Sequence, residues 1–127
     1  MAELPIPRAL LVLTTEADAH RAEALARRLL EARLAACISL MPLRSSYHWQ
    51  GAIETADEVQ LLIKTDKRHL AALEELVRQQ HSYACPEWLH WPVQASPAYG
   101  AWLAAELSRD GTPPGPADPP GGGDPTG

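Results

Sequence analysis

The stretch from Cys37 to Thr65 sets the scale of this chain. Two runs rich in Val, Ile, Leu, Tyr and Trp flank Gln50-Gly51, and glycine supplies the positive φ that a tight hairpin turn requires. β-branched and aromatic residues on both sides suit a pleated, half-buried surface. Cys37 to Gln50 is 14 residues, a span of roughly 45 Å when extended at ~3.3 Å per residue. A body of about 110 residues is only roughly 34 Å across. The arm therefore overhangs its own core and carries Tyr47 and Trp49 with it. A two-stranded ribbon is marginal alone in water, and large aromatics on it want cover. The arrangement predicts that the arm lies on another copy of the chain, with Tyr47 and Trp49 at the oligomer interface. Pro42 inside the first run demands an edge position, a bend or a bulge.

By length the 127 residues make one domain, but composition divides them at Asp110. Of the last 18 residues 12 are Gly or Pro, leaving almost no apolar side chains to offset the entropy of ordering. Residues 1–109 read as the folded domain and 110–127 as a disordered Gly/Pro-rich tail. The tail also carries three of the 16 acidic residues and none of the 11 basic ones, so a formal charge of −5 falls to −2 for the body. A near-neutral body lacks the basic footprint of a nucleic-acid binder. Apolar runs are far shorter than the ~20 residues that cross a bilayer, and Met1 to Pro7 has neither the basic nor the apolar region of a signal peptide. Cys37 and Cys85 match no zinc spacing and no disulfide framework. These features point to a cytoplasmic protein with no nucleic-acid or membrane partner.

Arg8 to Thr15 contains a continuous apolar run suited to a buried strand. Asp18 reads as an N-cap, and Ala22, Leu25, Ala26, Leu29, Leu30 and Leu34 follow at helical spacing. After the hairpin, Asp66 caps a second helix with its stripe at Leu70, Leu73, Leu76 and Val77, ending near Gln80. Residues 81–87 form a loop, because a proline disfavours helix at the preceding residue. Glu87 to Val93 reads as a strand, at an edge or ending near Pro92, with His90 packed on one face. Ser96-Pro97 opens a last helix that presents Tyr99, Trp102, Leu103 and Leu107 on one side. Strand, helix, two strands, helix, strand, helix is the split βαβ order of an α+β, ferredoxin-like sandwich with one helix added.

Leu34-Ala-Ala-Cys37, Tyr47, Trp49, Gly51, Ile53, Ile63-Lys64-Thr65, His81, Tyr83, Pro86-Glu87, Pro92, Tyr99 and Trp102-Leu103 occur in an order and spacing that resembles the CutA divalent-cation tolerance family, over about 9–107. The resemblance implies a ferredoxin-like protomer, a homotrimer in which long hairpins lie on neighbouring subunits, and an association with copper and other divalent cations. It also implies kinship with PII-type signalling trimers that bind small effectors between subunits. The family's loop pattern, His-Pro-Tyr-Glu-x-Pro-Glu, meets Ser82 and Ala84 here. Of the residues tied to copper in some members only His81 is present, and Thr14 and Gln80 stand at the other two positions.

Two constellations carry candidate chemistry. His81, Cys37 and Cys85 are the metal-ligand candidates: a thiolate binds soft metal ions, and copper binds nitrogen and sulfur sites tightly. Against this, Cys37 follows two alanines at a strand start, where cysteine also serves as a small core residue, and one His with one Cys falls short of a closed four-ligand site. Lys64, Tyr83, Glu87 and Trp102 are the second set, readable as a ligand cleft for a small anionic effector or as a Lys64–Glu87 ion pair over packed aromatics. No nucleophile–base pair and no Gly-rich phosphate loop is evident, so a binding protein without catalytic activity is expected. No obligatory cofactor is implied, and copper or another divalent cation is the candidate ion.

Overall fold

Apolar alternation along the strands and helical spacing between them build a four-stranded antiparallel sheet with two helices on one face. The computed structural model describes residues 8–109, and the tail expected at 110–127 lies outside them. Strand β1 (Arg8–Glu16) leads into helix α1 (Ala19–Glu31), followed by the hairpin strands β2 (Cys37–Trp49) and β3 (Ala52–Thr65). A 3₁₀ turn at Lys67–His69 opens α2 (Leu70–Gln80), and β4 (Leu89–Gln94) and α3 (Pro97–Leu107) complete the chain. The strands lie in the order β2-β3-β1-β4, which is the ferredoxin-like arrangement with an extra terminal helix.

Helices α1 and α3, and the 3₁₀ turn that opens α2, start where the sequence supplies an acceptor for an orphan backbone N–H, a cap that contributes about 1 kcal/mol. Asp18 accepts from the Arg21 N–H at 2.8 Å, Asp66 from that of His69 at 3.1 Å, and Ser96 from that of Tyr99 at 3.3 Å. Helix α1 ends in a left-handed residue, Arg33 at φ +60°. Leu34 N–H reaches back to the Leu29 carbonyl at 3.1 Å, the closure that normally favours glycine. The Arg33 guanidinium then pairs with Glu106 at 2.9 Å, fixing α3 beside the end of α1.

One face of the sheet is covered. Leu10 and Val12 of β1 and Val59, Leu61 and Ile63 of β3 pack against Ala22, Leu25 and Leu29 of α1 and Leu73 and Val77 of α2. Among the described residues the opposite face is covered only at one end, where α3 sets Leu103 and Leu107 on Ala9. The strand registers place Leu89, Leu13 and Leu62 in one row across this face, and Trp91, Leu11, Lys64 and Cys37 in the next. Met41 and Leu89 remain 58% and 53% exposed there.

The hairpin overhang is explicit in the register. Pairing between β1 and β3 stops at Glu16↔Val59, whereas β2 and β3 stay paired to Trp49↔Ala52. From Leu43 and Glu58 outward the arm is a two-stranded ribbon, roughly 23 Å long at ~3.3 Å per residue. Trp49 and Ile53 on it are 59% and 73% exposed. Gln50 and Gly51 both take positive φ, +51° and +83°, the requirement of a two-residue type I′ turn. Pro42 is accommodated because β2 is an edge strand, and its register with Val59 is unbroken.

Two expectations are corrected. β4 starts at Leu89 instead of Glu87, because Trp88 turns in to pack against the main core before the strand begins. His90 is exposed, not packed, since β4 is the other edge of the sheet.

Candidate functional site

The loop after α2 is held by two buried polar groups. His81 and Glu16 have side chains 0% and 2% exposed. The Tyr83 backbone N–H donates to His81 Nδ1 at 2.9 Å, which leaves Nε2 to carry the proton and donate to the Thr15 carbonyl. Glu16 accepts from the Ser82 hydroxyl at 2.6 Å, the Ser82 N–H at 3.0 Å and the Ala17 N–H at 2.9 Å. Burial alone would raise the Glu16 pKa, but these hydrogen bonds to its ionised form outweigh it and hold the carboxyl below its ordinary value. The result is a loop bolted to the end of β1.

That anchoring places Tyr83, Cys85 and Glu87 along a groove of about 960 Å³ beneath the arm. Its aromatic lining is Tyr47, Trp49 and Tyr83, and its charged lining is Glu54, Glu58 and Glu87, with no Lys or Arg. The Tyr83 hydroxyl donates to Glu58 at 2.9 Å. Burial, then this bond and the Glu58 charge, push the phenol up to about 12. Glu87 is also pushed up, first by burial and then by the charge of Glu58. An acidic, aromatic-walled groove attracts cations and repels anions.

The expected cleft of Lys64, Tyr83, Glu87 and Trp102 therefore divides in two. Tyr83 and Glu87 line the groove, while Lys64 donates to Ser39 Oγ at 2.7 Å and reaches Cys37 Sγ at 3.7 Å. The Trp102 ring lies 5.5 Å from that of Tyr99 and tilted 41° to it, beside α3's small core. Nor does a Lys64–Glu87 ion pair form: Lys64 is engaged on β2. Burial, followed by the charge and hydrogen bonding of Cys37, raises the Tyr99 pKa. Glu54, Glu58 and Glu16 were not among the candidates. Counting outward from the Gln50-Gly51 turn exposes the first two, because the turn sets Tyr47 opposite Glu54 and Leu43 opposite Glu58.

The three metal-ligand candidates do not converge. Cys37 sits at the α3 end of the open face and Cys85 in the groove, while both ring nitrogens of His81 are engaged inside the loop. Among the described residues no group of three or more His, Cys, Asp or Glu side chains could hold a metal ion. The described residues of one chain thus do not fit a resident metal. No helix among them is long and apolar enough to cross a membrane.

A family model for the CutA1 divalent ion tolerance protein matches residues 10–106. The chain belongs to this family. The divalent-cation tolerance protein CutA of Pectobacterium atrosepticum is 45% identical over 109 residues, 84% of this chain and 99% of the relative. Among solved structures, CutA of Synechococcus elongatus superposes with a TM-score of 0.78 at 42% identity, covering 83% of this chain and 95% of that one. The periplasmic divalent cation tolerance protein CutA of Archaeoglobus fulgidus does so at 0.77 and 30%, covering 79% and 99%. Within this CutA1-family chain, Ser82 is the loop residue with the clearest local effect. Its N–H and hydroxyl both serve Glu16, and a proline there would have neither.

Proposed function

We propose that this CutA1-family protein contributes to divalent-cation tolerance as a cytoplasmic homotrimer that binds its effectors instead of transforming them, with copper as the ion of interest. Family membership supports the tolerance role. The assembly rests on one observation, an apolar sheet face and a two-stranded arm left uncovered by the chain's own helices. Because the described residues of one chain gather no ligand set, metal contact in this reading uses Cys37, Cys85 or His81 from more than one subunit. His81 serves only if its loop opens.

A second reading is favoured by the groove. It is a small-molecule site in which Tyr83 and Glu87 act with Tyr47, Trp49, Glu54 and Glu58, and the occupant is a cation, not the anion expected from the sequence. Both readings predict cation responses. Removing the gene should lower tolerance to added copper, and restoring it should recover growth. Thermal shifts of the purified protein should rise with Cu(II) or organic ammonium ions and stay flat with organic acids. Unchanged tolerance would reject the first reading, and stabilisation by organic acids alone would reject the second.

A further inference from the structure

We infer that the groove beneath the arm takes a linear polyamine, an aliphatic chain with an ammonium group at each end. The inference rests on the groove being a cation site and names the class of cation. The groove is a cavity of about 960 Å³, far larger than a single ion fills and of the size that holds small organic molecules. The hairpin register gives its charges a spacing. Leu43 stands opposite Glu58 and Tyr47 opposite Glu54, so the two carboxylates share one face of β3, roughly 13 Å apart at ~3.3 Å per residue. Between them on that face lies the pair Ser45 and Ala56. Both are small and half-buried, a floor that leaves room for a chain of methylenes.

Tyr47, Trp49 and Tyr83 wall the groove. Aromatic faces attract ammonium groups and cover methylenes. The Tyr83 hydroxyl donates to Glu58 at 2.9 Å, holding one ring beside one carboxylate. Glu87 lines the groove as the third acid, and no Lys or Arg among the described residues lines it. Arg44 of the arm is one register position from Leu43 and therefore on the other face, where it pairs with Asp57 at 3.1 Å. Among the described residues no cation answers the three carboxylates from within the groove.

This spacing separates the classes of cation. A bare metal ion needs several ligands converging on one point at roughly 2.0–2.6 Å, and carboxylates spread along a strand do not converge. A compact quaternary ammonium reaches only one end of the groove. An extended polyamine sets a charge at each end and lays its chain against the rings. The groove continues the open face of the sheet, so in an assembled protein it borders the neighbouring subunit.

The test is isothermal titration calorimetry of the full-length protein with spermidine, the shorter putrescine and the compact choline, at fixed ionic strength because salt screens exposed charges. Spermidine should bind about fivefold or more tightly than either of the others. It should lose about fivefold on Glu54→Gln and a similar factor on Glu58→Gln, one loss for each end. Choline should respond to one of the two at most. Asp57→Asn removes an equal charge from the other face of the arm and should change neither. Equal affinities for the three cations, or spermidine binding that responds to only one of Glu54→Gln and Glu58→Gln, overturn the polyamine and leave a cation groove standing. No binding of any of them, including the case in which a sister chain fills the groove, overturns both. Spermidine binding reduced as much by Asp57→Asn is diffuse attraction to an acidic surface and overturns the site as well.

Discussion

At the residue scale, Glu16 shows how one buried carboxylate organises a loop from the far end of the sequence. Its three donors come from Ala17 and Ser82, and a charged acceptor makes stronger hydrogen bonds than a neutral one. Glu16→Gln replaces one accepting oxygen with an N–H donor, which then faces another donor. The substitution should cost about 1–3 kcal/mol at pH 7, measured by urea unfolding. The pH dependence has a defined sign. A carboxyl held below its ordinary value of 4.5 stabilises the fold above about that pH, and the contribution is lost as the pH falls through the folded value. The gap between wild type and variant should therefore close below about pH 4.5, and a gap constant down to pH 3 would refute the assignment. None of this was legible in the sequence. Glu16 lies at the end of an apolar run and Ser82 stands where a family pattern has proline, with 65 residues between them. Only the antiparallel return of the chain brings them together.

At the element scale, the hairpin was the most legible part of the chain. Gln50-Gly51 fixes the turn, and the turn fixes the register of all 13 cross-strand pairs from Trp49↔Ala52 to Cys37↔Lys64. Strand and helix order and the three caps followed from local chemistry, whereas Pro42 left an edge, a bend or a bulge open until the strand order placed β2 at the edge. The start of β4 did not, because the inward turn of Trp88 is a tertiary effect that no local pattern encodes. The turn also supports a prediction separable from packing. A Cβ added at Gly51 meets nothing within 4 Å, so Gly51→Ala is penalised by its +83° φ alone. It should destabilise by about 1–2 kcal/mol. Gln50→Asn, which tolerates left-handed backbone better, should stabilise by a few tenths of a kcal/mol. Thermal melts of the pair check both signs, and a neutral Gly51→Ala would mean that the turn relaxes to another type.

At the scale of the whole molecule, the question is what covers the open sheet face and the arm. The sequence announced an overhang by length alone, and the structure sets its origin at the end of β1. It did not announce the rows of Leu89, Leu13 and Leu62 or of Trp91 and Leu11, because a strand that reads as continuously apolar does not say which of its faces lacks a helix. Nor did it separate Lys64 from the groove, since residues near in a pattern of motifs can lie on different parts of one face. Substituting Met41 and Leu89, both more than half exposed, distinguishes an isolated chain from an assembled one. On an isolated chain, Met41→Lys with Leu89→Glu touches only solvent-facing groups and should leave stability within about 0.5 kcal/mol of wild type. If sister chains cover this face, the same pair buries unpaired charge at the contact and drives dissociation. Light scattering coupled to size exclusion should then give three chain masses for the wild type and a smaller species for the variant. The thermal midpoint of the variant should fall and become concentration-dependent, because folding and association are linked. A wild-type protein that elutes as one chain at micromolar concentration, with a variant of equal midpoint, would show that the arm stands free.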